Sequence, residues 1–386
     1  MRVVDDASGG RGLATRLREL VGLFGLLGVI GFGGPAAHIA LMRREVVDRR
    51  GWMTNQGVMD LVGLTSLIPG PNSTELAMLI GRQRAGLRGL LVAGLAFILP
   101  AVAIVLALAW AYVSFGSTPA VEGLLYGLKP VLLAIVAAAV ISFGRVAAAS
   151  LATAAVAVAA GVGWLAGLHE LLVLALAALA MAGLRLSGSL GAIVPLGLGL
   201  AGVGARATAV ELPVLFAVFL KAGGLLFGSG YVLLAYLRGD LVERLGWLTD
   251  QQLLDAVAIG QVTPGPLFTT ATFIGYLLAG VPGAMVATLG IFLPAFIVSA
   301  LIAPLAPRLR RHALTAALLD GVNAGAVGLM VVVSAQLALA AIVDPLTAAL
   351  AVGAGGALLL WSPSSVLLLA VGAAVGLAAI GLGIGP

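Results

Sequence analysis

Long apolar stretches dominate the chain, and the short loops between them carry most of its arginines. Many stretches reach the roughly 20 residues needed to cross about 30 Å of hydrocarbon. Uninterrupted transmembrane helices are predicted at about 87–113, 121–143, 149–167, 170–186, 283–306, 313–334, 345–361 and 363–384. Four further apolar stretches are interrupted by glycine or proline, at 20–42, 57–81, 213–237 and 252–276. This pattern predicts an all-α polytopic membrane protein, because a membrane barrel would show short alternating strands.

Residues 32–100 recur at 227–294, and the two copies agree at the residues that break helices. The recurring motifs are Phe32-Gly33 and Phe227-Gly228, Pro69-Gly70-Pro71 and Pro264-Gly265-Pro266, and Leu99-Pro100 and Leu293-Pro294. A long repeat that keeps breakers inside apolar stretches is typical of a transporter whose site lies between its halves. We therefore predict two homologous repeats with helices broken at the Phe-Gly-Gly(-Pro) and Pro-Gly-Pro motifs.

Loop charge predicts that the two repeats have opposite orientations. Arginines occur in the loop 82–88 but not in its counterpart 276–282, whereas the next loop, 114–120, is uncharged and its counterpart 308–311 is basic. Cytoplasmic loops are enriched in arginine, so equivalent loops are predicted on opposite sides of the membrane. The predicted division is an amphipathic segment 1–19, a first repeat 20–186, a linking membrane segment 187–206 and a second repeat 207–386.

Composition excludes several function classes. Hydrophobic residues make up 61% of the chain and charged residues 10%, which no soluble core requires. Without cysteines, and with three histidines scattered along the sequence, the chain is predicted to have no disulfide, metal site or cofactor. The net charge of +5 is explained by loop arginines, so no nucleic-acid partner is expected. An enzyme would need a nucleophile with a base, or a metal cluster, and neither is evident.

The Pro-Gly-Pro motifs are the first candidates for an anion site. Proline lacks the helix donor and clashes with the preceding turn, so each motif should end one helix and start another. A helix N-terminus offers free amides and a positive dipole to an anion. The alternative is a packing kink capped by its own hydroxyl. The residues predicted to bind substrate through these breaks are Gly33, Gly34, Gly70, Asn72, Ser73, Thr74, Gly228, Gly265, Thr269 and Thr270.

The two lysines, Lys129 and Lys221, are the second candidates, because both fall inside apolar stretches. A charge at the bilayer centre costs at least about 2.5 kcal/mol, so it usually has a role or a partner. We predict that both lysines compensate the charge of a bound anion, and that Asn323, which aligns with Lys129 in the second repeat, also binds the substrate. The alternative is that each side chain extends to the headgroups.

Four acidic residues are candidates for coupling transport to protons: Glu75, Asp320, Asp60 and Asp255. They could carry a proton or pair with the lysines. Asp60 and Asp255 occupy equivalent places close to helix starts, which also favours a helix-capping role. Glu75 and Asp320 have no acidic counterpart in the other repeat.

The combination of motifs resembles the chromate ion transporter (CHR) family in its long two-domain form. The resemblance rests on the stretches starting at Phe32-Gly33-Gly34-Pro35, Pro69-Gly70-Pro71-Asn72, Phe227-Gly228-Ser229-Gly230, Pro264-Gly265-Pro266 and Gly321-Val322-Asn323. It implies a multi-pass protein of the bacterial inner membrane with about 13 crossings, which exports chromate and so confers resistance. Sulfate would be a competing or counter-transported anion.

The sequence is also compatible with two other classes. An oxyanion channel would use the same donors without alternating access, and a sulfate-type uptake transporter would move the anion inward. The predicted partners are a small oxyanion and the lipid bilayer. The protein partner we consider is a second copy of the chain, in a homodimer.

Overall fold

The computed structural model describes residues 12–65, 68–147, 150–187, 210–226, 230–309, 313–361 and 363–384. The described residues form fourteen α-helices: α1 Leu13–Ile30, α2 Gly34–Arg43, α3 Asn55–Thr65, α4 Asn72–Phe115, α5 Pro119–Ala147, α6 Leu151–Leu165, α7 Glu170–Ser187, α8 Leu212–Leu225, α9 Leu233–Leu237, α10 Asp250–Val262, α11 Thr270–Leu309, α12 Ala313–Ala341, α13 Pro345–Leu360 and α14 Ser365–Gly381. The all-α class is confirmed. The candidate Gly228 and nearly all of the predicted linking segment lie outside the described residues.

Several of these helices have the length and composition of membrane spans. Among the described residues, four are long and apolar enough: Asn72–Phe115, Pro119–Arg145, Leu267–Leu301 and Leu314–Ala341. Shorter apolar helices are Leu151–Leu165, Leu212–Leu225, Pro345–Leu360 and Ser365–Gly381. The chain is therefore a polytopic membrane protein, as its hydrophobic pattern predicts.

Neither α4 nor α11 is a single rod, since each contains a two-residue turn. Ala85-Gly86 and Ala279-Gly280 have almost the same non-helical dihedral angles, with φ of 64° and 61° at the glycines. Gly81 packs directly on Gly89, and Gly275 on Gly283, so the two arms of each hairpin fold back on one another. In α4, the arm 72–84 is about 20 Å long and the arm 87–115 about 43 Å, at about 1.5 Å per residue. The loops predicted at 82–88 and 276–282 are thus tight turns.

One compact unit comprises Met1–Trp110, Phe219–Leu225 and Gly260–Ala306. Within it, Arg82 donates hydrogen bonds to the carbonyl oxygens of Ala300, at 2.5 Å, and of Ser299, at 3.3 Å. The Ala300 carbonyl lacks a partner in its own helix because the residue four positions on, Pro304, has no N–H. Arg82 therefore satisfies an orphan acceptor near the far end of α11.

The contact between Arg82 and the Ala300 carbonyl places the two equivalent hairpin turns at opposite ends of the second arm of α11. Turn 85–86 follows Arg82 and lies near residue 300, whereas turn 279–280 begins the same arm of α11. About 20 residues separate these ends, which corresponds to about 30 Å along a helix. That distance matches the thickness of the hydrocarbon core. The geometry within this unit therefore supports opposite orientations for the two repeats.

The second compact unit comprises Ala111–Val218, Leu226–Ile259 and Pro307–Pro386. Here α5 packs against α13 and α14, and its repeat counterpart α12 packs against α6 and α7. The helices α6 and α13 begin with equivalent capping boxes, one formed by Ser150 with Thr153 and the other by Asp344 with Thr347. Each repeat thus contributes its second long helix, α5 or α12, to the other repeat's terminal pair.

The loop between α2 and α3 provides a test of the crossings. If 20–42 and 57–81 both cross the membrane, this loop lies outside, and if both re-enter it lies inside with Arg88. We expect crossing, because the family resemblance implies about 13 spans. The chain contains no cysteine, and the Asp48 side chain is 47% exposed, so Asp48→Cys gives a single accessible thiol. An impermeant thiol reagent should label it in intact cells.

The matched control for this experiment is Arg88→Cys, an exposed position that both arrangements place inside. It should react only after the cells are made permeable. Protection of the cysteine at position 48 in intact cells, together with its labelling after permeabilisation, would show that the two stretches re-enter.

Candidate functional site

The first Pro-Gly-Pro motif separates two helices in the first unit. α3 ends at Thr65 and α4 begins at Asn72. The backbone N–H groups of Thr74 and Glu75 donate to the carbonyl oxygen of Pro71, at 2.8 and 3.2 Å, and so start the new helix. Gly70 has a φ of 139° and packs against α11, where its added methyl group would lie 3.3 Å from the Cβ of Ala295.

The second Pro-Gly-Pro motif has the equivalent arrangement, in which a break in the second repeat contacts the first repeat. α10 ends at Val262, and a 3₁₀ turn, Leu267–Thr269, leads into α11. The backbone N–H of Gly265 donates to the Gly31 carbonyl at 2.8 Å, at the break between α1 and α2. A methyl group on Gly265 would lie 2.5 Å from the Cβ of Ala101 in α4. The second break therefore contacts the first repeat, and the first break contacts the second repeat.

Both contacts fall halfway along a long helix. Ala101 lies at the middle of the arm 87–115, and Ala295 lies at the middle of the equivalent arm 281–309. At about 1.5 Å per residue, each point is about 21 Å from either end of its arm. A helix that spans the bilayer has its midpoint near the bilayer midplane, which is where broken helices of transporters hold their substrates. The two breaks thus have the depth expected of a transport site.

Polar side-chain atoms without a hydrogen-bond partner accumulate beside the breaks. They are Thr74 Oγ1, both carboxylate oxygens of Glu75, Thr270 Oγ1 and Ser299 Oγ. All four residues are completely buried. A buried polar group that lacks a partner is costly, so a cluster of such groups calls for an explanation. An anion in contact with the hydroxyls would provide the missing acceptor.

The structure brings together only part of the predicted substrate site. The unit that holds both breaks contains Gly33, Gly34, Gly70, Asn72, Ser73, Thr74, Lys221, Gly265, Thr269 and Thr270. Thr269 is buried, but its hydroxyl already donates to the Pro266 carbonyl at 2.9 Å. Lys221 is half-buried, one turn before the glycines of α8 that pack on Ile291 and Pro294 of α11.

The predicted residues Lys129 and Asn323 belong to the second unit. Lys129 Nζ lies 2.8 Å from the Asp255 carboxylate and donates to Gln251 Oε1 at 2.7 Å. The sequence predicts Asp255 as a coupling residue or a partner of a lysine, and the structure shows the pairing. The alternative capping role for Asp255 is wrong, because Thr249 Oγ1 caps α10 by accepting from Gln252 N–H.

Of the other acidic candidates, Glu75 lies beside the first break, whereas the described contacts of Asp60 and Asp320 do not involve the breaks. Asp60 is exposed and accepts a hydrogen bond from Gln56 at 3.0 Å, while Thr54 Oγ1 caps α3. The capping interpretation is therefore wrong for Asp60 as well. Asp320 forms an ion pair with Arg185 at an exposed position.

Sequence reasoning missed two buried residues next to the breaks. His38 lies against Phe97, and its Nε2 is 2.8 Å from the same Gly31 carbonyl that accepts from Gly265. Ser299 lies one helical turn beyond Ala295, on the face of α11 that meets Gly70. The spacing Phe-Gly-Gly-Pro-x-x-His could have marked His38. Nothing in the first repeat points to Ser299, because its counterpart is Val105.

A second polar cluster lies apart from these candidates, at the start of α7. Potential metal-ligand atoms of His169, Glu170 and Asp240 lie within 4.8 Å of one another. The sequence predicts no metal site, because the chain has no cysteine and its three histidines are scattered. Arg244 already pairs with Asp240 at 2.8 Å, and His169 Nδ1 accepts the Leu171 N–H at 3.3 Å. Asp240 is thus paired with Arg244 and His169 is hydrogen-bonded at the start of α7, so protein contacts already hold this cluster.

Comparison with known proteins identifies the sequence relatives. The family model described as "Chromate transporter" matches residues 18–184 and again residues 214–377. The "Chromate transport protein" of Cupriavidus metallidurans is 35% identical over 93% of this chain and 92% of its own length. That of Pseudomonas aeruginosa is 34% identical, over 83% and 80%. The "Probable chromate transport protein" of Synechococcus elongatus is 32% identical, over 82% and 83%. No solved structure matches the chain.

Proposed function

The chain belongs to the chromate transporter family, which is a family of transporters and not of enzymes, and we propose that it carries chromate by alternating access. The substrate would bind at the two Pro-Gly-Pro breaks. Export across the inner membrane, and the resulting resistance to chromate, are parts of this proposal. The homodimer stays a prediction, to be checked by the mass of the purified protein in detergent.

One observation carries the assignment: each break contacts the middle of the other repeat's long helix, and buried hydroxyls without a hydrogen-bond partner lie beside both breaks. A tetrahedral dianion needs several donors that converge in a low-dielectric environment. Two helix N-termini, with Thr74 and Thr270 beside them, supply donors of this kind. Their reciprocal contacts with α11 and α4 make each break depend on the opposite repeat, as alternating access requires.

Glu75 constrains how the anion can bind. Its carboxyl group is completely buried, and its Oε1 lies 2.5 Å from where a methyl group on Gly70 would be. An ionised carboxylate there would repel a dianion and would be costly to bury without a partner. We propose that Glu75 is protonated when the anion is bound and that its hydroxyl donates to an oxyanion oxygen.

Lys221 is the basic residue proposed to compensate the substrate charge, because it belongs to the unit that contains the breaks. Replacing it by methionine should weaken chromate binding about ten- to hundredfold, the loss of one charge-assisted interaction of about 1.5–3 kcal/mol. Arginine should not restore affinity, since a planar guanidinium differs from a compact ammonium. Titration of the purified variants with chromate measures the effect. Unchanged affinity in Lys221→Met would show that the side chain serves the headgroup region instead.

Counterflow in proteoliposomes tests the proposed function. Vesicles loaded with unlabelled chromate should take up labelled chromate faster than empty vesicles, because a carrier returns more quickly when it is loaded. A channel shows no such stimulation, so equal rates would overturn the carrier assignment. Sulfate should compete, because it presents four oxygens and the same charge. Stimulation by internal sulfate but not by internal chromate would favour the sulfate-type transporter.

A further inference from the structure

A cavity of about 470 Å³ in the second unit contains the Lys129–Asp255 ion pair. Its lining includes Tyr112 from α4, Glu122 and Tyr126 from α5, and Ala340 and Ala341 from α12. The side chains of Lys129 and Asp255 are 16% and 8% exposed. The pair is thus largely buried but borders a space that can hold water.

A hydrogen-bond network holds the pair in place. Tyr112 donates to Asp255 Oδ2 at 2.8 Å, and Lys129 donates to Gln251 Oε1 at 2.7 Å. Gln251 in turn donates to the Ala340 carbonyl. Lys129 therefore keeps a partner when its bond to Asp255 is broken.

The charges facing Asp255 decide what the cavity can bind. α5 presents Lys129 and Glu122, α4 presents Tyr112, and α12 presents only alanines. On its own helix Asp250 is paired with Arg238 at 2.8 Å, and the nearby Asp344 accepts the Tyr126 hydroxyl at 2.6 Å. The formal charge of the lining is therefore negative, which disfavours a dianion. A metal cation bound to Asp255 would be repelled by the Lys129 ammonium, which lies 2.8 Å from the same carboxylate. A proton is the ion that fits, because it neutralises Asp255 without occupying space.

We propose that Asp255 is the proton-binding site that couples chromate transport to a proton gradient, with Lys129 as its switch partner. This inference rests on the proposed transport function. A hydronium ion in the cavity transfers its proton to Asp255 Oδ1 and becomes water, and the ion pair breaks while Lys129 stays on Gln251. The charge of the pair then changes from zero to plus one. No other bond is made or broken.

The repeat supports a specialised role for this pair. The position equivalent to Lys129 holds Asn323, and the one equivalent to Asp255 holds Asp60, which is exposed and bonded to Gln56. The ion pair therefore exists in one copy only. Its helix α10 ends at Val262, two residues before the second Pro-Gly-Pro motif. A change at Asp255 thus acts on the helix that leads into the proposed anion site.

Chromate accumulation driven by an imposed pH gradient tests the proposal. The wild-type protein is reconstituted at alkaline pH, where chromate itself carries no proton, and the gradient should drive accumulation of up to about tenfold per pH unit and per coupled proton. Asp255→Asn should abolish gradient-driven accumulation but retain chromate exchange. The double variant Lys129→Met/Asp255→Asn leaves no unpaired charge, so it should fold and show the same loss.

Asp60→Asn is the matched control and should accumulate chromate like the wild type. Full gradient-driven accumulation by Asp255→Asn would overturn the inference. The inference would also fail if Glu75→Gln lost this accumulation while Lys129→Met/Asp255→Asn retained it. Absence of exchange in the wild type would instead refute the proposed function. Infrared titration of the purified protein tests the site without transport: a carboxyl band that appears on acidification and remains in Glu75→Gln should be missing in Asp255→Asn, and its persistence there would reject Asp255.

Discussion

The double variant Thr74→Val/Thr270→Val is expected to bind chromate at least about a hundredfold more weakly than the wild type. Each hydroxyl is buried without a partner beside a Pro-Gly-Pro break. Removing one charge-assisted hydrogen bond costs about 1.5–3 kcal/mol, or roughly ten- to hundredfold in affinity. Valine keeps the shape of threonine, so the helices should persist. Equilibrium binding of chromate to the purified protein measures the loss.

Thr288→Val is the control for this variant. Its hydroxyl already donates to the Ala284 carbonyl at 2.7 Å within its own helix, so chromate affinity should stay at the wild-type value. Wild-type affinity in the double variant as well would mean that the hydroxyls only cap or pack, and the helix amides would be left as the anion donors.

Gly265→Ala is expected to destabilise the protein by about 2–5 kcal/mol and to abolish transport. Two effects add up at this position. Gly265 has a φ of 93°, and a side chain in left-handed backbone costs about 1–2 kcal/mol. Its methyl group would also lie 2.5 Å from the Cβ of Ala101, and such overpacking costs about 1–3 kcal/mol. Thermal unfolding in detergent measures the loss of stability, and chromate counterflow measures the loss of transport.

Gly246→Ala separates the two causes. Gly246 has a φ of 64°, but nothing lies within 4 Å of the position its methyl group would take. It should therefore show the backbone cost of about 1–2 kcal/mol and keep transport. If Gly265→Ala is no less stable than Gly246→Ala, the close packing of the second break against α4 is not what holds it.

Several features of the proposed site could be read from the sequence. Paired prolines around a glycine break a helix wherever they occur, so the breaks at Gly70 and Gly265 follow from local chemistry. Their duplication identifies two repeats, and the place of Thr74 and Thr270 after each break predicts that their hydroxyls bind substrate. Ser299 could not be found in this way, because its repeat counterpart is an apolar residue and its importance comes from the helix it faces.

The role of the two lysines could not be decided from the sequence. Both lie in apolar stretches, and the sequence offered an anion role, an acidic partner or an extended side chain for each. For Lys129 the structure shows the acidic partner, since this lysine pairs with Asp255, which is 126 residues away in the chain. The residue that caps α10 is Thr249 and not Asp255. Only packing of α5 against other helices could bring the side chains of Lys129 and Asp255 within 2.8 Å.

By itself the sequence determined the class of the protein, the duplication and the positions of the helix breaks. These properties follow from hydrophobicity, proline and glycine, whose effects act within a few residues along the chain. Tertiary structure decided which elements meet: each break against the middle of the other repeat's long helix, Arg82 on the carbonyl of Ala300, and Lys129 on Asp255. These contacts join residues more than a hundred positions apart, so they depend on how the helices pack and not on local sequence.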